Sequence, residues 1–139
     1  MKNSITWVDA NGTWDYGRTM TNQDIAWACE DAADLLDGHW IQGAWWSEAT
    51  GSMCIEGGIA AALGLEPMDL QDDSNQRDLL HGCPVYDAVL ATLNADIDEQ
   101  YDDPISELPN WNDADGRTMD EITDVLRRTA KRVLMPDLY

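Results

Sequence analysis

The sequence predicts a mainly α-helical (α+β) domain: a compact bundle of about four helices with a small N-terminal β-hairpin and a short extended segment at residues 40–46. Three observations favour this fold class. Apolar residues recur at helical spacing in several separate stretches, glycine or proline ends most of these stretches, and 44% of the 139 residues are hydrophobic. A chain of this length fits one domain that buries roughly two thirds of its unfolded surface. We therefore expect a single domain over residues 1–139, with residues 1–20 as a hairpin extension and residues 21–135 as the helical core.

The hairpin is predicted from two β-prone segments, residues 4–8 and 13–16. The Asn-Gly pair at Asn11 and Gly12 lies between them, and this pair favours a tight hairpin turn. Because an isolated hairpin is only marginally stable in water, we expect its aromatic side chains to pack against the helices.

Five stretches of the core carry helical signals, and one of them is short. The first stretch begins at Thr21 or Asn22 and ends at Gly38. The others run from Cys54 or Ile55 to Leu63, from Ser74 to Leu80, from Pro84 to about Ile97, and from Thr118 to Pro136. Thr118 and Glu121 match a capping box, in which each side chain satisfies a free amide of the other residue. Gly57 and Gly58 cost the second helix about 1 kcal/mol each relative to alanine. That cost is understandable if another backbone packs closely there, so we expect this helix to be central and buried.

The segment from Trp40 to Trp46 is predicted to be a short strand or extended segment. Alternation of side chains would send Trp45 and Trp46 to opposite faces, so that one of them is hard to bury. Tryptophan is enriched at interface hot spots, which makes both residues candidate binding anchors. The alternative is that both are covered within the fold. Residues 104–116 are predicted to be a loop, with Trp111 packed against the core.

The charge is strongly negative and unevenly distributed. The chain has 8 basic and 27 acidic residues, a net charge of −19, and residues 66–116 hold 14 acidic residues against one basic residue. Such a field repels nucleic acid and anionic membranes, and it steers the protein toward basic partners. The alternative is that the acidity serves solubility or reflects genome composition or adaptation to salt.

The cysteines and the hydropathy indicate a reducing compartment. Cys29, Cys54 and Cys83 are odd in number and widely spaced, which favours free thiols over a disulfide framework. No apolar run approaches the ~18 to 20 residues of a membrane span, and no signal peptide opens the chain. We therefore expect a cytoplasmic protein, in the host cytoplasm if a phage encodes it.

A series of short motifs resembles a family of small actinobacterial and actinophage proteins that is catalogued only as a domain of unknown function. The matching residues are Ala32–Leu36, Trp40–Gly43, Cys54–Gly58, Trp111–Asp113, Gly116–Thr118 and the helix at Val125–Leu126. Together they cover about residues 25–134. The resemblance implies a common fold and a phage or actinobacterial source, but it supplies no established activity.

Catalytic and metal-binding signals are weak. Cys54 lies at a predicted helix start, where a thiol pKa can be lowered, and a thiol enzyme would need a nearby histidine such as His39. His81 and Cys83 are the only close pair of metal-ligand type, whereas zinc sites normally show two local pairs. We expect no metal and no cofactor.

Three functions remain open. The first is a non-catalytic interaction protein whose acidic face binds a basic site on a host or defence protein, in place of nucleic acid. Its predicted surface comprises Asp69, Asp72, Asp73, Asp96, Asp98, Glu99, Asp102, Asp103, Trp45 and Trp46. The second is a small-molecule-binding or thiol-dependent enzymatic domain. Its pocket, at the joint between Trp40 and Gly58, would be lined by Trp40, Gln42, Trp45, Cys54 and Glu56. The third is a structural homo-oligomer built on exposed tryptophan.

Overall fold

The structure is a computed structural model that describes residues 20–68, 70, 74–97 and 103–135, without the side chains of residues 74–76. The described residues are mainly helical. They form six helices: α1 (Asn22–Leu36), α2 (Ile55–Leu63), α3 (Ser74–His81), α4 (Pro84–Ala95), α5 (Leu108–Asn112) and α6 (Met119–Leu134). The sequence predicted about four helices, and the predicted N-terminal hairpin lies outside the described residues.

Local capping chemistry sets the ends of the longest helices. Thr21 and Asp24 form a capping box at the start of α1, and Thr118 and Glu121 form the predicted one at the start of α6. Gly64 ends α2 in the left-handed conformation, with φ of 93°, which glycine adopts at little cost. These boundaries confirm the predicted ends of the helices.

Helix α1 is the centre of the fold. It packs most extensively against α6, next against α2, and also against α4. Leu36 of α1, Ile59 of α2, Val89 of α4 and Leu126 of α6 are fully buried and belong to one core. The prediction that α2 would be the central helix was therefore wrong, although Ile55 through Ala60 are all buried. As expected, another backbone packs closely at Gly57, where the carbonyl of Trp45 leaves no room for a Cβ, but at Gly58 the close neighbour is the side chain of Leu36.

Two predicted segments differ from the structure. Residues 40–46 form bends rather than a strand, and their only ladder contacts among the described residues are isolated bridges from Trp40 and Trp46 to Met53. A glycine with φ of 84° at Gly43 turns the chain and prevents regular alternation. Within the predicted loop 104–116, the structure has the short helix α5, which contacts α2.

No helix in the described part of the chain is long and apolar enough to cross a membrane.

Candidate functional site

The site is built on Asn112, a fully buried side chain at the end of α5. Its Oδ1 accepts hydrogen bonds from Nε1 of Trp40 at 2.7 Å and from the backbone N–H of Ile55 at 2.9 Å. Its Nδ2 donates to the carbonyl of Ile41 at 3.1 Å. The first N–H groups of a helix have no partner within the helix, and Cys54 makes no side-chain cap for α2. Asn112 therefore caps α2 from a distant part of the chain.

The segment that follows Trp40 is bound to the same end of α5. Nε2 of Gln42 donates to the carbonyls of Asn112 and Ala114 at 2.9 and 3.0 Å, and the N–H of Gly43 donates to Oδ1 of Asp113 at 2.9 Å. The Trp40–Gly43 and Trp111–Asp113 motifs thus form one hydrogen-bonded unit, although about 70 residues separate them in sequence. We call this unit, together with the start of α2, the joint.

A second buried group in the joint is the carboxylate of Glu56, which has no exposed surface. Nε1 of Trp45 donates to Oε1 at 2.7 Å, and Nε2 of His81 lies 2.8 Å from Oε2. The Tyr86 hydroxyl accepts from the N–H of Leu108 at 3.0 Å. Burial first, and then the charge of Glu56, raise the pKa of Tyr86, so the phenol stays protonated. A buried carboxylate requires donors, and here it ties α2 to α3 and to the segment that carries Trp45.

A cleft of about 110 Å³ opens beside the joint. It is lined by Gly43, Ala44, Trp45, Cys54, Pro109 and Asp113. Burial raises the pKa of the Cys54 thiol to about 12, although N–H groups of Gly57 and Glu56 lower it in part. The thiol is therefore protonated at neutral pH, and the structure shows no hydrogen bond between it and a described histidine side chain. His39, the predicted partner, is exposed.

The structure places the predicted pocket residues in two groups. Trp45 and Cys54 line the cleft, whereas the polar groups of Trp40, Gln42 and Glu56 are bonded within the joint. Trp45 and Trp46, predicted as binding anchors, are both half-buried and pack against the core.

The predicted acidic surface is described at two of its eight carboxylates. Asp96 is exposed but forms an ion pair with Arg128 at 2.6 Å, and Asp103 is exposed and belongs to no ion pair among the described residues. The other six, Asp69, Asp72, Asp73, Asp98, Glu99 and Asp102, lie outside the described residues. Within the described part of the chain, no cluster of histidine, cysteine or carboxylate side chains could hold a metal ion.

Sequence reasoning missed the acidic side chains around α5. Glu107 precedes α5, Asp113 and Asp115 follow it, and all three are exposed. A second cleft, of about 270 Å³, lies beside this helix and is lined by Pro104, Ile105, Ser106, Glu107, Asn110 and Trp111. The sequence did contain a signal, because residues 66–116 carry most of the excess acidic residues. The short helix that brings these three carboxylates to one region was not predicted, because it lies in a predicted loop.

The nearest cation in sequence to these carboxylates is already engaged. The Arg117 guanidinium stacks over the Trp111 ring at 4.2 Å and forms an ion pair with Glu121 at 2.8 Å. Its Nε donates to the carbonyl of Trp111 at 2.9 Å. Arg117 therefore holds the end of α5 in place, and Glu107, Asp113 and Asp115 form no ion pair with another described residue.

The fold and the joint define a mainly helical domain in which the short motifs hold the helix ends together. The chain belongs to the family of unknown function DUF6197, whose model matches residues 20–132. The family resemblance predicted from the motifs is thereby confirmed. Among curated proteins and solved structures, none matches this chain.

Proposed function

We propose that this protein is an acidic, non-catalytic interaction protein that binds a basic site on a partner protein. One observation supports it above the others. Asp103, Glu107, Asp113 and Asp115, which we call the α5 acidic surface, are all exposed, and none forms an ion pair with another described residue. The polar groups of the joint are bonded within it, and these include Oδ1 of Asp113, which accepts from the N–H of Gly43. Asp103, Glu107 and Asp115 are the exposed carboxylates of this region that lie outside the motifs of the joint.

The spacing of these groups suits a basic segment. Glu107 and Asp113 flank a helix of five residues, so they are about 9 Å apart along its axis at ~1.5 Å per residue. This separation is comparable to the Debye length at physiological salt, about 8 Å, so the charges act together on a partner. The two clefts that residues of α5 line offer apolar contacts at Trp45 and Trp111.

The motifs imply a biological setting for this interaction. The protein would act in the cytoplasm of an actinobacterial host, with a phage as its source, and its carboxylates would occupy a site that ordinarily binds phosphates on a host or defence protein. The net charge of −19 supports this reading because it favours rapid association with cationic surfaces.

The small-molecule alternative receives less support from the geometry. The cleft at Trp45 and Cys54 measures about 110 Å³, well below the ~300 to 1,000 Å³ that is typical of ligand pockets. A protonated thiol also removes the nucleophile that a thiol enzyme would need. Half-burial of Trp45 and Trp46 likewise reduces the apolar surface available to a homo-oligomer.

The test begins with a pull-down from host lysate at low and high salt, followed by affinity measurements on the partner that it identifies. Reversing two charges, with Glu107→Lys and Asp115→Lys, should weaken binding at least about tenfold at low salt. The matched control, Asp78→Lys with Asp87→Lys, makes the same change of charge at exposed positions of α3 and α4. The control should change affinity less than about threefold. An affinity that stays flat from low to high salt, or equal losses in both double variants, would overturn the proposal.

A further inference from the structure

One buried charged atom lies outside the joint without a hydrogen-bond acceptor. It is Nη1 of Arg132, on the last turns of α6, and it is the one buried side-chain nitrogen or oxygen of the described residues that has no hydrogen-bond partner. Leaving a buried donor unsatisfied is costly, and more so when the group is charged. Such an atom in an otherwise satisfied structure requires an explanation.

Arg132 lines a cleft of about 160 Å³ between α4 and α6. The other lining residues are Thr92, Ala95, Asp96 and Arg128. The Thr92 hydroxyl is engaged, since it donates to the carbonyl of Ala88 at 3.0 Å and accepts from Thr129 at 2.9 Å. It is therefore not the missing acceptor for Arg132.

The two carboxylates of the described residues that pair with Arg128 are engaged as well. Asp96 accepts from Nη1 of Arg128 at 2.6 Å, and Asp124 accepts from Nε of the same guanidinium at 2.8 Å. Arg128 thus has two carboxylate partners, and against the opposing effect of burial they raise its pKa. Arg132 forms no ion pair with another described residue.

We propose that the cleft between α4 and α6 binds a small oxyanion, a carboxylate or a phosphate, with the guanidinium of Arg132 as its main donor. The planar guanidinium offers several N–H groups in a fixed fork that matches the paired oxygens of these anions. A water molecule would accept one hydrogen bond but would not form an ion pair with the guanidinium. Nη1 itself is buried in the structure, so the Arg132 side chain would have to turn toward the cleft for this atom to reach an anion there.

The volume limits the ligand. At about 160 Å³ the cleft is smaller than a drug-sized pocket, which favours a small anion over a nucleotide or a large metabolite. The net charge of −19 opposes the binding of anions in general, so binding at this place would have to arise from local contacts. This proposal is independent of the α5 acidic surface, which shares no residue with the cleft.

In the test, the full chain is titrated with inorganic phosphate and, in a second arm, with acetate. Binding is measured by isothermal titration calorimetry and by the midpoint of thermal unfolding. Sodium chloride at the same ionic strength is the reference, because salt alone stabilises a chain of this charge by screening. Arg132→Gln is compared with Lys131→Gln, which removes the same charge from the adjacent, exposed position.

We expect phosphate, acetate or both to bind and to raise the midpoint above the chloride reference. The arm that responds identifies the anion class. Arg132→Gln should lower the affinity at least about tenfold, while Lys131→Gln should change it less than about threefold. Without ligand, the thermal unfolding midpoint of Arg132→Gln should be no lower than that of the wild type, because the substitution removes an unsatisfied buried donor. Absence of binding in both arms, or equal affinity of Arg132→Gln and the wild type, would overturn the proposal.

Discussion

The joint and the contact region between α4 and α6, which we call the seam, both contain buried polar groups. The hydrogen bonds of these groups are satisfied differently in the two places. In the joint, Asn112 and Glu56 receive donors from Trp40, Ile55, Trp45 and other residues, and their partners belong to several elements. In the seam, the hydroxyls of two threonines satisfy each other and the backbone, but Nη1 of Arg132 has no acceptor. The joint is complete within the described chain, whereas the seam lacks one partner.

This difference separates the motifs from the candidate binding chemistry. The motif residues of the joint are bonded to one another, so their pattern in the sequence is explained by the assembly of α2 and α5 with residues 40–46. The groups that remain available to a ligand or partner lie mostly outside these motifs, at Asp103, Glu107 and Asp115 near α5 and at Arg132. Asp113 belongs to both sets, because it is exposed but accepts from the N–H of Gly43. In this fold, a motif marks a structural unit and does not by itself mark an active site.

The largest expected effect concerns thiol reactivity in the joint. Because burial raises the pKa of Cys54 from 9.0 to about 12, its thiolate fraction at neutral pH should fall roughly a thousandfold. Native protein treated with iodoacetamide at pH 7.5 should therefore show no alkylation of Cys54 by mass spectrometry, while protein unfolded in urea should react fully. Rapid alkylation of Cys54 in the native protein would revive the thiol-enzyme alternative.

The next effect tests whether Asn112 holds the joint together. Asn112→Ala would leave Nε1 of Trp40 and the N–H of Ile55 without their acceptor, and the free energy of unfolding should fall by about 3 kcal/mol. Asn110→Ala is the matched control, because Asn110 lies exposed on the same helix and makes one long contact of 3.5 Å with Glu107. We expect this control to stay within about 0.5 kcal/mol of the wild type in urea denaturation. Similar losses in both variants would show that Asn112 has no special role.

A smaller effect is expected at the close approach of α2 to residues 40–46. A Cβ on Gly57 would lie 2.5 Å from the carbonyl oxygen of Trp45 and 2.9 Å from Cβ of Met53. Alanine normally stabilises a helix by about 1 kcal/mol relative to glycine, but here Gly57→Ala should destabilise the protein by about 1 to 3 kcal/mol.

Gly82 provides the control for that substitution. A Cβ there would meet its nearest neighbour at 3.5 Å, an ordinary contact, so Gly82→Ala should change the free energy of unfolding by less than about 0.5 kcal/mol. If Gly57→Ala were as stable as the wild type in the same denaturation experiment, the segment that carries Trp45 would be free to move away from α2.

The helices were predictable because their signals are local. Thr118 and Glu121 identify the start of α6 within four residues, and Gly64 identifies the end of α2. Helix α5 was missed because five residues are too few to show helical periodicity. The strand prediction at residues 40–46 failed because tryptophan has a high β propensity, whereas tertiary hydrogen bonds set this backbone.

The site was less predictable than the fold. The motifs showed which residues belong together, but the role of Asn112 depends on partners 57 and 72 positions away, Ile55 and Trp40. The partners of Glu56 are likewise spread over α3 and the segment before α2. Such pairings arise from the packing of the helices and have no local signature. The unsatisfied atom of Arg132 also emerges only from the packing of α6 against α4.

Amide hydrogen exchange at Ile55 tests the central claim most directly. An N–H in the first turn of a helix normally exchanges rapidly, as we expect for the exposed Gln23 in the first turn of α1. If Asn112 caps α2 from α5, the N–H of Ile55 should exchange at least about a hundredfold more slowly than that of Gln23, after correction for intrinsic rates. The protection should disappear in Asn112→Ala. Exchange at Ile55 as fast as at Gln23 in the wild-type protein would contradict the account of the joint.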